Sequence, residues 1–410
     1  MENNSVITGV GVIAPNGIGK EEFWQNLRDG RSNFKPISLF DTKDLKVNLA
    51  GEVIFNPKEI LPTVNARDLD RATILLSCAA KLALSDAGFE ITDANSKQAG
   101  VSVGTTFGSL YSISEFDKEA IRDGPKYANP SVFTSTVGNS PASRISIIFH
   151  AKGFNSTIST GMCAFPDALD YSRDFLALKR IKIVITGTVE VLSPQIFLGF
   201  YKLNYLAGLK AGKQLLSCPF DKKRNGIVLS EGSAVVLVED KNLAKERKAK
   251  VYAEVLGTGS SFDPFKSYKY DPRGKGMARA MILALRDAGL EPKDIDCIFA
   301  NANSTPEADL IETKAIKEVF KDYAHKIPVT AIKSIIGETY SASGGMALVA
   351  AIGSLANDFI PGTMNLENKD SECDLDYVPN KSRDKKISKV MINTFSPNGE
   401  NSVIIIGRPS

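Results

Sequence analysis

One twelve-residue segment occurs twice in this chain, and this repeat constrains the possible folds more than any other feature of the sequence. Residues 79–90 (AAKLALSDAGFE) recur as residues 280–291 (AMILALRDAGLE), with eight of the twelve positions identical at an offset of 201. Each copy is typical of a helix that ends at a glycine, Gly88 or Gly289, where the backbone becomes left-handed. An apolar strand follows each copy. The sequence therefore predicts two related halves that arose by duplication.

The rest of the chain alternates between apolar runs typical of buried strands and amphipathic runs typical of helices. The predicted strands include residues 181–190, 250–258, 326–334 and 389–395. The predicted helices between them include residues 164–178 and 305–319. A chain of 410 residues is long enough for two domains. Strands and helices that alternate across two similar halves predict a layered α/β architecture, with a charged surface connection near residues 240–250.

Composition and charge exclude several classes of function. The 50 basic and 47 acidic residues leave a net charge of +3, which favours neither nucleic acid nor an anionic membrane as a partner. No apolar run approaches the roughly 18 residues that a membrane span needs, and the N-terminal segment lacks signal-peptide features. The five cysteines are scattered without metal-ligand spacing, so we expect a reduced, cytoplasmic protein. The glycine-rich segments 9–17 and 104–109 lack nucleotide-loop spacing, and neither a cofactor nor a metal is indicated.

One cysteine is a candidate nucleophile. Cys163, in STGMCAF, stands at the predicted start of a helix, where the helix dipole and free N–H groups would favour a thiolate. A nucleophile also needs a base, and the chain has two histidines. His150 ends an apolar helical run and is expected to cap or pack, whereas His325 precedes a strand and is expected at the surface. Cys163 is therefore either a nucleophile or an ordinary buried cysteine.

Several blocks spread over nearly the whole chain resemble the β-ketoacyl-carrier-protein synthases, the condensing enzymes of fatty acid and polyketide synthesis. These blocks are residues 6–34, 219–239 (PFDKKRNGIVLSEGSAVVLVE), 301–316 (NANSTPEADLIETKAI), 331–345 (AIKSIIGETYSASGG) and 392–406 (INTFSPNGENSVIII). The resemblance implies the thiolase-like α/β fold with two related αβαβα halves, which agrees with the independent repeat. We assign residues 1–245 to the N-terminal half and residues 246–410 to the C-terminal half.

The family's chemistry uses one cysteine and two histidines, and the resemblance implies that all three are replaced here. The cysteine of TACAxG falls on Met162 when residues are counted from either neighbouring block, so that Cys163 lies one place too late. The histidine of AHGTSTP falls on Asn301, and that of KSxxGH falls on Glu338. A thioether cannot form a thioester, Asn301 cannot cycle a proton, and an ionised Glu338 would repel an enolate.

Other positions of the family's site are partly retained. Asp309, Glu312 and Lys333 match the supporting residues of the motifs, which favours a structural role for them, since buried ion pairs are costly to break singly. The flexible GFGG turn beside the acyl pocket is replaced by residues 396–399 (SPNG). This combination resembles the chain-length factor, or ketosynthase-β subunit, of type II polyketide synthases. Most members carry glutamine at the nucleophile position, where this chain has Met162.

The resemblance implies partners and a mode of action. Such a subunit forms a heterodimer with an active ketosynthase-α, meets the acyl carrier protein transiently and shapes the shared tunnel that holds the polyketide intermediate. The gate positions of the tunnel fall on Ser109, Ser112, Ile113 and Phe116. The two small serines predict a fairly long, octaketide-scale aromatic product. Two alternatives stay open: a chain-length factor of an aryl-polyene system, and an active synthase that uses Cys163.

Overall fold

Helices and strands alternate along most of the chain in the computed structural model, which describes residues 5–65, 69–210 and 212–409. The helices are α1 (Lys20–Asp29), α2 (Arg71–Asp86), α3 (Leu110–Asp123), α4 (Pro130–Phe133), α5 (Ser140–Phe149), α6 (Ala164–Ala177), α7 (Pro194–Lys202), α8 (Lys241–Glu246), α9 (Lys275–Ala288), α10 (Pro306–Phe320), α11 (Lys333–Ile336) and α12 (Ser343–Asn357). The strands are β1 (Ser5–Ala14), β2 (Gly17–Ile18), β3 (Lys35–Pro36), β4 (Leu49–Ala50), β5 (Ala99–Gly104), β6 (Asn155–Ile158), β7 (Ile183–Glu190), β8 (Gly232–Asp240), β9 (Ala253–Phe262), β10 (Cys297–Phe299), β11 (Val329–Thr330), β12 (Phe359–Ile360), β13 (Arg383–Asp384), β14 (Lys389–Phe395) and β15 (Glu400–Gly407). Residues 1–4 and 410 of the two predicted halves lie outside the described residues.

The strand order of the main sheet repeats itself on the two sides of its centre. The order is β11–β10–β14–β15–β9–β1–β8–β7–β5–β6. Outward from the centre, β1, β8, β7, β5 and β6 are matched by β9, β15, β14, β10 and β11. In each set the three outer strands are parallel and the inner pairings are antiparallel. The sets meet where β1 pairs with β9. This symmetry confirms the two related halves that the repeat predicts.

The helices form three layers around the two sets of strands. On one outer side α2 packs against β1, β8 and α5, and on the other α9 packs against β9, β15 and α10. Between the sets lie α6 and α12, which contact each other and strands of both sets. Residues 343–355 of α12 are all buried, as a helix in a central layer requires. The layers alternate α, β, α, β, α, which confirms the predicted fold class.

Close contacts between helix and strand explain why the repeat keeps its small residues. A Cβ on Gly11 of β1 would lie 1.9 Å from the carbonyl oxygen of Ala79 in α2. In the other half, a Cβ on Gly259 of β9 would lie 2.4 Å from the carbonyl oxygen of Ala280 in α9. Ala79 and Ala280 are equivalent positions of the repeat. Each half therefore brings helix and strand backbones together at the same place.

Most of the predicted elements agree with the structure. The helices predicted over 164–178 and 305–319 are α6 and α10, to within one residue at each end. Positive φ angles at Gly88 (56°) and Gly289 (64°) confirm the predicted helix ends.

The strand predicted over 326–334 is wrong at both ends, because β11 covers only Val329–Thr330. Only Val329 and Thr330 pair with β10, which itself ends at Phe299, so the chain has no strand partner further on. The amide of Ala331 instead donates to the hydroxyl of Thr363 (3.0 Å), and α11 then begins at Lys333.

Candidate functional site

Met162 lies in the tight turn that leads from β6 into α6. Gly161 opens this turn with a left-handed backbone, φ 58°, and a 3-10 turn over Gly161–Cys163 precedes the helix. The side chain of Met162 is 2% exposed and belongs to an apolar cluster with Leu192, Phe197 and Tyr340. A buried thioether in apolar surroundings has no proton to lose and no group to activate it.

Cys163 is buried on the other side of the same turn. Its Sγ atom donates to the carbonyl oxygen of Thr394 at 3.2 Å, and the residue is 1% exposed. Burial raises the pKa of the Cys163 thiol well above its usual range, and the nearby carboxyl groups of Asp167 and Glu400 raise it further. These effects outweigh any help from the start of α6, so the thiol is neutral at physiological pH. The geometry supports the interpretation of Cys163 as an ordinary buried cysteine.

Asn301 and Glu338 are joined by one lysine. The Nζ atom of Lys333 lies 2.9 Å from Oε2 of Glu338 and donates to Oδ1 of Asn301 at 3.0 Å. The amide Nδ2 of Asn301 donates to the carbonyl oxygen of Phe395 at 3.1 Å. All three side chains of this network are buried. The positions aligned with the two histidines thus form one connected polar network.

The carboxylate of Glu338 accepts hydrogen bonds from four groups in this network. Besides Lys333, Oε2 accepts from Nδ2 of Asn303 at 3.1 Å. The other oxygen, Oε1, accepts from the amide of Tyr340 at 2.9 Å and from the hydroxyl of Ser343 at 2.6 Å. The carboxylate of Glu338 therefore pairs with the ammonium group of Lys333 and is also bound by three neutral donors.

Asp309 and Glu312 hold the backbone of the loop that carries Asn301. Glu312 accepts from the amides of Asn301 (2.9 Å) and Ala302 (2.8 Å), and Asp309 accepts from the amide of Asn303 (3.0 Å). Burial raises the pKa of Glu312 to about 7 and that of Asp309 to about 6, although Arg224 lowers the latter. Both carboxyl groups face backbone donors, as expected for structural residues.

The four predicted gate residues do not share one cavity. Ser109 and Ser112 line a cavity of about 310 Å³ between α2, α3 and the start of α7. Ser109 is buried and donates to Oδ2 of Asp70 at 2.8 Å. Ile113 is 37% exposed on α3, and the ring of Phe116 packs against Phe133, 6.2 Å between centroids. Only the two serines thus reach the cavity, and no residue of α3 whose side chain is described is buried.

An apolar surface surrounds this helix. Large hydrophobic side chains that are more than a third exposed lie on α3 and in the segment that follows: Tyr111, Ile113, Ile121, Tyr127, Phe133 and Val137. Within the described part of the chain, β6 is the last strand of the sheet, with β5 as its neighbour. A concentration of exposed apolar side chains in one segment is typical of a protein–protein interface.

Two residues of the polar network were not predicted from the sequence. Asn303 stands where the family motif has threonine, and this substitution was the signal that the surroundings of Glu338 had changed as well. Tyr340 contributes its backbone amide and packs its ring 4.9 Å from Phe107 and 5.6 Å from Phe200. It has a left-handed backbone, φ 50°, which no sequence pattern indicated.

The described ranges contain neither a membrane-spanning helix nor a candidate metal cluster. No helix there is long and apolar enough to cross a membrane. No group of three or more His, Cys, Asp and Glu side chains within residues 5–65, 69–210 and 212–409 could hold a metal ion. All five cysteines are free and buried.

Comparison with known proteins identifies the family. The β-ketoacyl synthase N-terminal domain matches residues 3–244, and the C-terminal domain of the same family matches residues 252–367. The chain therefore belongs to the β-ketoacyl synthase family and has its thiolase-like fold. It is 34% identical to 3-oxoacyl-[acyl-carrier-protein] synthase 2 of Coxiella burnetii over 405 residues, which covers 98% of each chain.

Relatives from type II polyketide synthesis are also similar. The tetracenomycin polyketide synthase ketoacyl synthase alpha subunit of Streptomyces glaucescens is 33% identical over 416 residues, covering 100% of this chain and 98% of the relative. A solved structure described as the ishigamide ketosynthase/chain length factor superposes with a TM-score of 0.93 at 31% identity, over 100% of both chains. A second, of a type II polyketide synthase acyl-carrier protein in complex with its ketosynthase bound to the hexaketide, gives 0.91 at 27% identity, also over 100% of both chains.

Proposed function

We propose that this chain is the chain-length factor of a type II polyketide synthase, a subunit that does not condense and instead shapes the tunnel for the growing polyketide. The observation that carries the proposal is the replacement of all three catalytic positions by Met162, Asn301 and Glu338. Condensation needs a thiolate to accept the acyl chain and donors free to stabilise an enolate. Met162 forms no thiolate, and Lys333 already binds both Asn301 and Glu338.

The apolar surface on and after α3 supports a partner. Side chains such as Ile121 (85% exposed) and Phe133 (59%) are costly to leave in water, and an active ketosynthase bound to this surface would bury them. The acyl carrier protein would then meet the assembled pair transiently and deliver the polyketide intermediate to the shared tunnel. The division into residues 1–245 and 246–410 and the cytoplasmic location belong to the same proposal.

An active synthase that uses Cys163 is the second candidate, favoured by the 34% identity to a 3-oxoacyl-[acyl-carrier-protein] synthase. The Cys163 thiol is buried and neutral, which weighs against an active synthase. A chain-length factor of an aryl-polyene system would use the same site, because other enzymes carry out the reduction. Identifying the product of the assembled synthase, aromatic or polyene, separates these two chain-length factors.

Acylation of the isolated subunit separates a chain-length factor from an active synthase. The full-length chain is incubated with acyl-loaded carrier protein and examined by intact-protein mass spectrometry. We expect no covalent acyl adduct on this chain and full acylation of a co-expressed ketosynthase partner. An adduct that is lost in Cys163→Ala would overturn the proposal and establish the active synthase.

The gate assignment is tested by product length in the assembled synthase. Ser112→Trp should shorten the product by at least one two-carbon unit, because the indole ring fills much of a cavity of about 310 Å³. Ser112→Thr, which adds a single methyl group, is the control and should leave the octaketide-scale product unchanged. Unchanged product length in Ser112→Trp would remove Ser112 from the gate.

A further inference from the structure

The cavity behind the gate serines carries a carboxylate in an otherwise mostly apolar wall. Its apolar lining includes Leu39, Phe40, Val191 and Leu192. The side chain of Asp70 lines the same space, next to Ser109. Tyr111, 45% exposed, belongs both to this lining and to the apolar surface around α3. A chain that enters past Tyr111 would reach a space that Asp70 lines.

Asp70 is held in place by two donors, one on each oxygen. It caps the N-terminus of α2, where Oδ1 accepts from the amide of Thr73 at 2.9 Å. The other oxygen, Oδ2, accepts from the hydroxyl of Ser109 at 2.8 Å. A carboxylate oxygen accepts about two hydrogen bonds, so each oxygen of Asp70 can accept one more.

The basic residue in the same wall does not balance this charge. The guanidinium of Arg71 binds the buried carboxylate of Glu231, with Nε 2.7 Å from Oε2, and donates to the carbonyl oxygen of Val53 at 2.7 Å. Among residues 5–65, 69–210 and 212–409, no lysine or arginine nitrogen lies within 4.0 Å of the Asp70 carboxylate. Within the described residues of the wall, the Arg71–Glu231 pair is neutral as a unit and Asp70 contributes one negative charge.

We propose that this cavity selects the far end of the polyketide chain through Asp70: it takes neutral ends that carry a hydroxyl, enol or N–H donor and rejects ends that carry a carboxylate. The selection rests on the proposed function, because the occupant is the end of a growing chain. A donor at that end gains a charge-assisted hydrogen bond to Asp70. A carboxylate end would instead place two like charges together in a partly desolvated space.

The test uses three probes of equal length. These are eight-carbon amides of pantetheine whose far ends are a methyl, a hydroxyl or a carboxylate group, titrated calorimetrically into the full-length chain with any ketosynthase that co-purifies. We expect the hydroxyl probe to bind at least about tenfold more tightly than the carboxylate probe. Asp70→Asn keeps the helix cap, since Asn and Asp cap equally well, and should reduce this ratio to below about threefold.

Controls distinguish the effect of the Asp70 carboxylate from that of other carboxylates, and they distinguish the selectivity of the cavity from the proposed function. Asp93→Asn neutralises a solvent-exposed carboxylate far along the chain and should leave the ratio unchanged. Equal affinities for the hydroxyl and carboxylate probes in the wild-type protein, no binding of any probe, or an unchanged ratio in Asp70→Asn would each overturn the inference. If an acyl adduct that depends on Cys163 forms on this chain while the probe preference holds, the proposed function fails and the ligand preference of the cavity stands.

Discussion

Replacing Lys333 by methionine tests whether the buried network of Asn301, Lys333 and Glu338 stabilises the fold. The ammonium group of Lys333 lies 2.9 Å from a carboxylate oxygen of Glu338, and the two side chains are 5% and 0% exposed. Methionine fills a similar volume without a charge. Lys333→Met therefore removes one partner and leaves the other as a buried, uncompensated carboxylate.

The expected loss of stability depends on the hydrogen bonds that Glu338 retains in the variant. Breaking a buried ion pair from one side costs about 3–5 kcal/mol. Three neutral donors, from Asn303, Tyr340 and Ser343, still bind the carboxylate in the variant. We therefore expect the lower end, a loss of about 3 kcal/mol in the free energy of unfolding. This is a large share of the roughly 5–15 kcal/mol that stabilises a typical domain.

Urea unfolding followed by circular dichroism measures this loss, and a double-mutant cycle attributes it to the pair. Lys333→Met combined with Glu338→Gln should be less destabilised than Lys333→Met alone, because no buried charge remains. Lys152→Met breaks an exposed ion pair of the same 2.9 Å length and should not change the unfolding midpoint. A Lys333→Met protein within about 1 kcal/mol of the wild type would refute a network held by this ion pair.

Three further outcomes are expected. Burial raises the pKa of Glu190 to about 7. Protonated Glu190 therefore stabilises the folded state fully below about pH 4.5, and this stabilisation is lost as the pH rises through 7. Glu190→Gln should flatten the pH dependence of the free energy of unfolding between about pH 5 and 8, and an unchanged slope would contradict this. Iodoacetamide should leave Cys163 unmodified in the native protein and alkylate it after unfolding, as read by peptide mass mapping. Gly11→Ala should lower the free energy of unfolding by about 3 kcal/mol, because the added Cβ meets the Ala79 carbonyl. Gly199→Ala, on an open face of α7, should raise it by up to about 1 kcal/mol, with both measured by urea unfolding.

Local pattern determined the architecture of this protein. The twelve-residue repeat at an offset of 201, the helix-ending glycines Gly88 and Gly289, and the alternation of apolar and amphipathic runs can all be read from the sequence. They predicted the duplicated halves, and the motifs that resemble the β-ketoacyl synthases aligned Met162, Asn301 and Glu338 with the three catalytic positions. The end of β11 was beyond such reasoning, because it is set by the length of β10, the strand beside it.

Only the tertiary structure decided how the substituted site is held together. Lys333 and Glu338 are five residues apart in sequence, yet their network also includes Asn301 and Asn303 from another segment. The predicted gate residues have different surroundings although they are neighbours in sequence. The hydrogen bond from Ser109 to Asp70 joins the starts of α3 and α2, which are distant in sequence. The sequence thus determined which residues stand at the positions aligned with the family's catalytic residues. The three-dimensional packing decided which charges meet, because hydrogen bonds and ion pairs depend on distances that the chain order does not specify.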